Sequence, residues 1–171
     1  MDIRSIAVLG AGSMGAQLAA EFVNAGFECY LYDLSNKKVC VSLDVLSKLK
    51  PKIFTDKYNI NLIKIANFKS DAANLQNMDL IIEAVSEDLK IKKSLYKKIK
   101  PYLSSNVILA SNTSGLSLEN LVKSLPKSLQ ANFIGMHFFN PPRYLSLVEL
   151  ISTSYTNKKL LKICERFLTL S

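Results

Sequence analysis

"IAVLGAGSMGAQLAAEFVNAG", residues 6–26, joins a short apolar run to a helical pattern through a cluster of glycines. The run closing at Gly10 has the length and composition of a buried strand. From Ser13 the apolar residues recur at helical spacing and stop at Gly26, a C-terminal helix signal. Between them "GAGSMG" sets Gly10, Gly12 and Gly15 in the pattern G-x-G-x-x-G. In this strand–turn–helix context the pattern is a dinucleotide-binding fingerprint. Gly10 allows the tight turn, Gly12 lets the backbone approach a pyrophosphate, and Gly15 lets the helix pack close to the strand. The helix start offers free N–H groups to the anion, and the same loop brings Ala11, Ser13 and Met14 to the cofactor.

A second strand, "ECYLYD", ends at Asp33, 23 residues after Gly10. A carboxylate there accepts hydrogen bonds from the adenosine ribose and repels a 2′-phosphate, which favours NAD over NADP. FAD uses the same fingerprint, and a strand–helix turn without a ligand would look the same.

Strand and helix patterns alternate onward. Helix is expected over 35–50, with Leu43, Leu46 and Leu49 on one stripe, and strands over 62–68 and 79–85. The segment "EDLKIKKSLYKKIKPYL" predicts an amphipathic helix with Leu89, Ile91, Leu95, Tyr96 and Ile99 on its apolar face. Strand 106–111, a short helix near 117–124, strands within 131–139 and 145–151, and a last helix complete the chain. Such alternation predicts an α/β, Rossmann-like, doubly wound and mostly parallel sheet with helices on both faces, as one domain over 1–171. Ligands bind such sheets at the carboxyl ends of the strands.

With 171 residues, 49% apolar and 21% charged, the composition is that of a globular chain with one good-sized core. The net charge of +8 comes from 19 lysines and three arginines. That is a diffuse basic surface, suited to anionic small molecules rather than to nucleic acid. Cys29, Cys40 and Cys164 are odd in number and lack metal-ligand spacing, so no metal site is expected and a reducing, cytoplasmic setting fits. No segment is apolar for long enough to predict a membrane span.

"GMHFFNPP", residues 135–142, holds the only histidine, His137, beside Asn140 and a stiff Pro141-Pro142 pair. Histidine suits proton transfer near neutral pH, although a lone one is more often structural. Taken alone, "EAVSEDLKIKK" reads as a charged helix start and "ASNTSG" as a polar loop after a strand.

Together, "GAGSMG", "YD", "EAVSEDLKIK", "SNTSGLS" and "GMHFFNPPRYLSLVELI" follow the order and spacing of the 3-hydroxyacyl-CoA dehydrogenase family. The resemblance runs from about Ile3 to Ile151. It is most like the dehydrogenase segment of enzymes fused to an enoyl-CoA hydratase. It implies that NAD is the cofactor, that an acyl-CoA thioester is the substrate, and that His137 is the catalytic base with Glu149 pairing the imidazole. It further implies that Ser114 and Asn140 lie at the substrate and nicotinamide, and that Glu87 and Lys92 contact the cofactor.

The chain departs from the family at two places. The segment between Asp33 and Asp79 is shorter than in many relatives, which leaves Lys48, Lys50 and Lys52 as candidates for the CoA nucleotide. The family's helical substrate and dimerisation domain does not follow within these residues. A homo-oligomer or a separate helical subunit is therefore an expected partner, and an open substrate side would make turnover slow. A non-catalytic NAD-binding module, or a Rossmann dehydrogenase for 2-hydroxy or phosphosugar acids, would share the glycine loop. The latter families lack the "HFFNPP" block.

Overall fold

β1 (Ser5–Leu9) carries residues of alternating destination: Ile6 and Val8 face one helical layer, and Ala7 and Leu9 the other. Both sets are 0% exposed, which makes this a central strand covered on both faces. The computed structural model describes residues 2–170, so the first and last positions of the expected 1–171 domain lie outside the described residues.

The chain runs β1, α1 (Ser13–Asn24), β2 (Glu28–Asp33), α2 (Asn36–Ser47), β3 (Ile63–Asn67), β4 (Leu80–Glu83) and α3 (Leu89–Ile99). It continues through β5 (Ile108–Ser111), α4 (Leu118–Val122), α5 (Lys127–Gln130), β6 (Phe133–Phe138), β7 (Val148–Ile151) and α6 (Lys158–Leu170). Single 3-10 turns precede β3 and β4 and extend α3. The strand order is β3-β2-β1-β4-β5-β6-β7, so the sequence of strands switches from one side of β1 to the other between β3 and β4. All pairings are parallel except β6 with β7. A ligand crevice is expected outside the carboxyl ends at that switch.

One core layer packs α1, α2 and α6 on the sheet through Ala16, Ala19, Phe22, Val39, Leu43, Cys164 and Phe167. The other packs α3, α4 and α5 through Leu95, Tyr96, Ile99, Leu121 and Leu129. The small residues of α1 let its axis approach β1; a Cβ on Gly15 would lie 1.9 Å from the Gly10 carbonyl oxygen. Two expectations fail in detail. Leu49 lies beyond the end of α2 and is 40% exposed, and Ile91 is 47% exposed, while Lys92 takes the buried place on α3. Lys92 falls at helical spacing on the buried stripe of Leu95, Tyr96 and Ile99, where it meets Glu83, and Ile91 falls beside that stripe.

Candidate active site

The glycine loop leaves β1 through Gly10, whose φ of +108° only glycine adopts easily, and whose missing Cβ lets Ala84 approach. Its N–H donates to the carbonyl of Tyr32 (2.8 Å). Gly12 is the N-cap of α1 and supplies no side-chain acceptor, so the first N–H groups of the helix face outward unpaired by a cap. Nothing lies within 4 Å of where a Gly12 Cβ would stand. Space and free donors therefore coincide with the position a pyrophosphate needs.

Asp33 ends β2 beside this loop. One carboxylate oxygen accepts the Ala11 N–H (2.9 Å), the other the Leu34 N–H (2.6 Å) and the Lys38 ammonium (3.2 Å). Burial works against its ionisation, but these bonds outweigh it and hold the carboxyl below its ordinary range. A cleft of about 760 Å³ opens here, with Gly10, Gly12 and Asp33 on one side and Leu34, Phe68 and Ile91 among its apolar walls. That explains why Ile91 is exposed: it lines the cleft.

Farther along the carboxyl edge, Glu87 lies between β4 and α3. Its Oε1 accepts the Thr113 hydroxyl (2.5 Å) and the N–H groups of Ser114 and Gly115 (3.0 Å each). Desolvation opposes the charge, but the Thr113 hydroxyl, the Gly115 N–H, the positive charge of Lys92 and the Ser114 N–H bring the carboxyl down to about 2. Lys92 itself is 1% exposed and bridges Glu83 and Glu87.

The histidine stands at the antiparallel edge. β6 and β7 pair His137 directly with Glu149, and His137 Nδ1 lies 2.9 Å from Glu149 Oε2. The ring packs on Phe139 with centroids 4.7 Å apart. The turn after β6 is tied to α1 twice: Gln17 Nε2 donates to Asn140 Oδ1 (3.3 Å), and Arg143 donates to Glu21 (3.4 Å). Asn112 Oδ1 accepts the Phe138 N–H (2.9 Å), joining the loop after β5 to the strand carrying His137. Ser114 and Asn140 are exposed on that same edge.

The family described as 3-hydroxyacyl-CoA dehydrogenase, NAD binding domain, matches residues 5–170. The chain belongs to that family. A protein of Rickettsia felis named as a fatty acid oxidation complex trifunctional enzyme is 38% identical over 98% of this chain and 24% of its own length. The mitochondrial hydroxyacyl-coenzyme A dehydrogenase of Sus scrofa is 32% identical over 94% of this chain and 54% of its own. The solved dehydrogenase part of multifunctional enzyme 1 from C. elegans superposes with a TM-score of 0.85 at 32% identity, over 99% of this chain and 40% of that one. The chain thus spans between about a quarter and just over half the length of these relatives.

As an NAD-binding domain of this family, the chain presents a glycine loop and Asp33 whose geometry fits NAD. Sequence reasoning missed four polar residues that hold the edge together: Gln17, Glu83, Asn112 and Ser111. Glu83 had a signal, since a carboxylate inside the apolar strand "DLIIEAV" must find partners. Gln17 interrupts the buried face of α1 in the same way. Asn112 gave none. Lys48 pairs with Asp44 on the surface (2.6 Å), and Lys50 and Lys52 are exposed in the loop after α2. Cys29 and Cys164 are buried free thiols, and Cys40 is exposed. Among the described residues no group of three or more His, Cys, Asp or Glu is placed to hold a metal ion, and no helix is long and apolar enough to cross a membrane.

Proposed function

We propose that this chain carries the cofactor-binding and proton-transfer parts of an NAD-dependent 3-hydroxyacyl-CoA dehydrogenase, serving fatty acid β-oxidation or the reverse reduction. The observation that carries the proposal is the His137–Glu149 pair at 2.9 Å on the same sheet edge as the glycine loop. When bound, the nicotinamide ring accepts hydride from C3 of the substrate. With Nδ1 engaged by Glu149, Nε2 is the imidazole atom left to take the 3-hydroxyl proton. The Glu149 carboxylate orients the ring and stabilises the imidazolium that results. Asn140, its oxygen held by Gln17, keeps its NH₂ group for the substrate oxygen, and the Ser114 hydroxyl serves the same atom. In the reverse direction these donors polarise the 3-keto group. Ala11, Ser13, Met14 and the three loop glycines hold the pyrophosphate, and Asp33 the adenosine ribose.

The substrate partner in this proposal is an acyl-CoA thioester, with Lys48, Lys50 and Lys52 available to its nucleotide phosphates. The protein partner is the family's helical substrate domain, as a further segment, a separate subunit or part of a homo-oligomer, and the setting is cytoplasmic. NADH consumption driven by acetoacetyl-CoA tests the proposal. Consumption that depends on both compounds is the expected result. NADH binding without consumption would favour a non-catalytic NAD-binding module.

A further inference from the structure

Glu83 closes β4 at 0% exposure, and Lys92 of α3 is 1% exposed. The Lys92 ammonium lies 2.6 Å from Glu83 Oε1, 3.3 Å from the Val85 carbonyl oxygen and 3.4 Å from Glu87 Oε2. The ammonium donates hydrogen bonds to Glu83 and Val85 and stands in ion-pair contact with Glu87. Glu83 Oε1 also accepts the Val85 N–H (2.9 Å), while Oε2 accepts the Tyr96 hydroxyl (3.1 Å) and the Ser111 hydroxyl (2.7 Å). Burial, then the charge of Glu83, pushes the Tyr96 phenol well above its ordinary range and keeps it a donor. Every polar atom of the cluster is satisfied.

A buried ion pair of this kind gains little stability over an apolar replacement, so its use must be sought in the geometry it imposes. Glu83 and Ser111 are the last residues of two adjacent central strands, paired in register. From that rigid base Lys92 reaches one oxygen of Glu87, and the other oxygen of Glu87 gathers Thr113, Ser114 and Gly115.

We propose that Glu83 is a positioning residue: it fixes the Lys92 ammonium, Lys92 fixes Glu87, and Glu87 holds the 113–115 loop so that Ser114 is presented in place. The value of this strut to catalysis rests on the role given to Ser114 above, but the order it imposes on the loop does not depend on turnover. Lys92 thereby acts on the loop through its ion pair with Glu87.

Amide hydrogen exchange of the whole chain tests this at Ser114 and Gly115. The comparison is with Glu83→Gln/Lys92→Met, which removes both buried charges together. In the unmodified chain both amides should exchange at least about tenfold slower than in an unfolded chain, despite lying on exposed residues. In the variant they should exchange at least about tenfold faster than in the parent, while the amides of β1 and β2 stay slow. If acetoacetyl-CoA is turned over, kcat/KM should fall about tenfold as well. Unchanged exchange at these amides in the folded variant overturns the proposal. Should the variant not fold, Glu87→Ala replaces it, at a side chain 42% exposed. Faster loop exchange in that variant, with a slowly exchanging Lys92 ammonium signal in the unmodified chain, supports the strut; absence of either overturns it. Loop exchange as expected without any turnover leaves the strut standing and counts against the dehydrogenase.

Discussion

At the glycine-loop end of the sheet edge, Asp33 has a side chain 13% exposed and three donors on its carboxylate, and Gly15 is packed against backbone. At the histidine end, the Glu149 side chain is 50% exposed and pairs with His137, while Tyr144 and Leu147 project at 51% and 59%. One end is closed by backbone atoms of its own strands and helix, whose positions follow from the fold. The other is a side-chain pair on an edge hairpin, tied to the body through Gln17, Glu21 and Asn112. Cofactor affinity should therefore be a property of the sheet and the first helix. Proton transfer should depend on how the hairpin is held and covered.

The largest expected effect breaks the closed end. Gly15→Ala puts a methyl group 1.9 Å from a carbonyl oxygen that cannot move without shifting β1. NADH affinity, read by fluorescence titration, should drop by about a hundredfold or more, since sub-ångström placement of the helix N-terminus governs the anion site. An unaltered Kd would mean that the loop is not the cofactor cradle.

Glu149→Gln acts on the open end. The imidazole keeps a hydrogen-bond partner but loses the charge that stabilises its protonated form. kcat should fall by about ten- to a hundredfold. The NADH Kd should stay within about twofold, because each end is held by separate groups.

A smaller effect concerns cofactor choice. The Lys38 ammonium sits on the carboxylate that repels a 2′-phosphate, so Lys38→Ala should raise the preference for NADH over NADPH by about threefold, in keeping with an exposed ion pair. Equal losses for both cofactors would show that Lys38 supplies only general attraction.

The smallest effect lies in the acid stability of Glu87. Its carboxyl titrates at about 2 when folded, below the ordinary 4.5. The stability it contributes is complete above about pH 4.5 and is lost as pH falls through 2. Melting temperatures of the unmodified chain should therefore fall more steeply over that window than those of Glu87→Gln. Parallel curves would show that Glu87 is not held by the 113–115 loop.

Much of this contrast was legible in the sequence, and for different reasons at the two ends. The glycine loop and Asp33 announce themselves because backbone conformation and close approach demand particular residues at fixed spacing. The contact between His137 and Glu149 came from family resemblance; the structure supplies its physical reason, the antiparallel return of β7 beside β6. Periodicity misplaced Ile91 and Lys92, because helical spacing weighs apolarity and does not see a buried carboxylate one strand away. The ties made by Asn112 and Gln17 join residues 26 and 123 positions apart. No local pattern records a contact of that kind.

The most direct test of the central claim is a paired measurement on His137→Gln: NADH affinity, and NADH oxidation driven by acetoacetyl-CoA. The NADH Kd should stay close to that of the unmodified chain, and turnover should fall by about a hundredfold to ten-thousandfold. Near-normal turnover in the variant would contradict that claim.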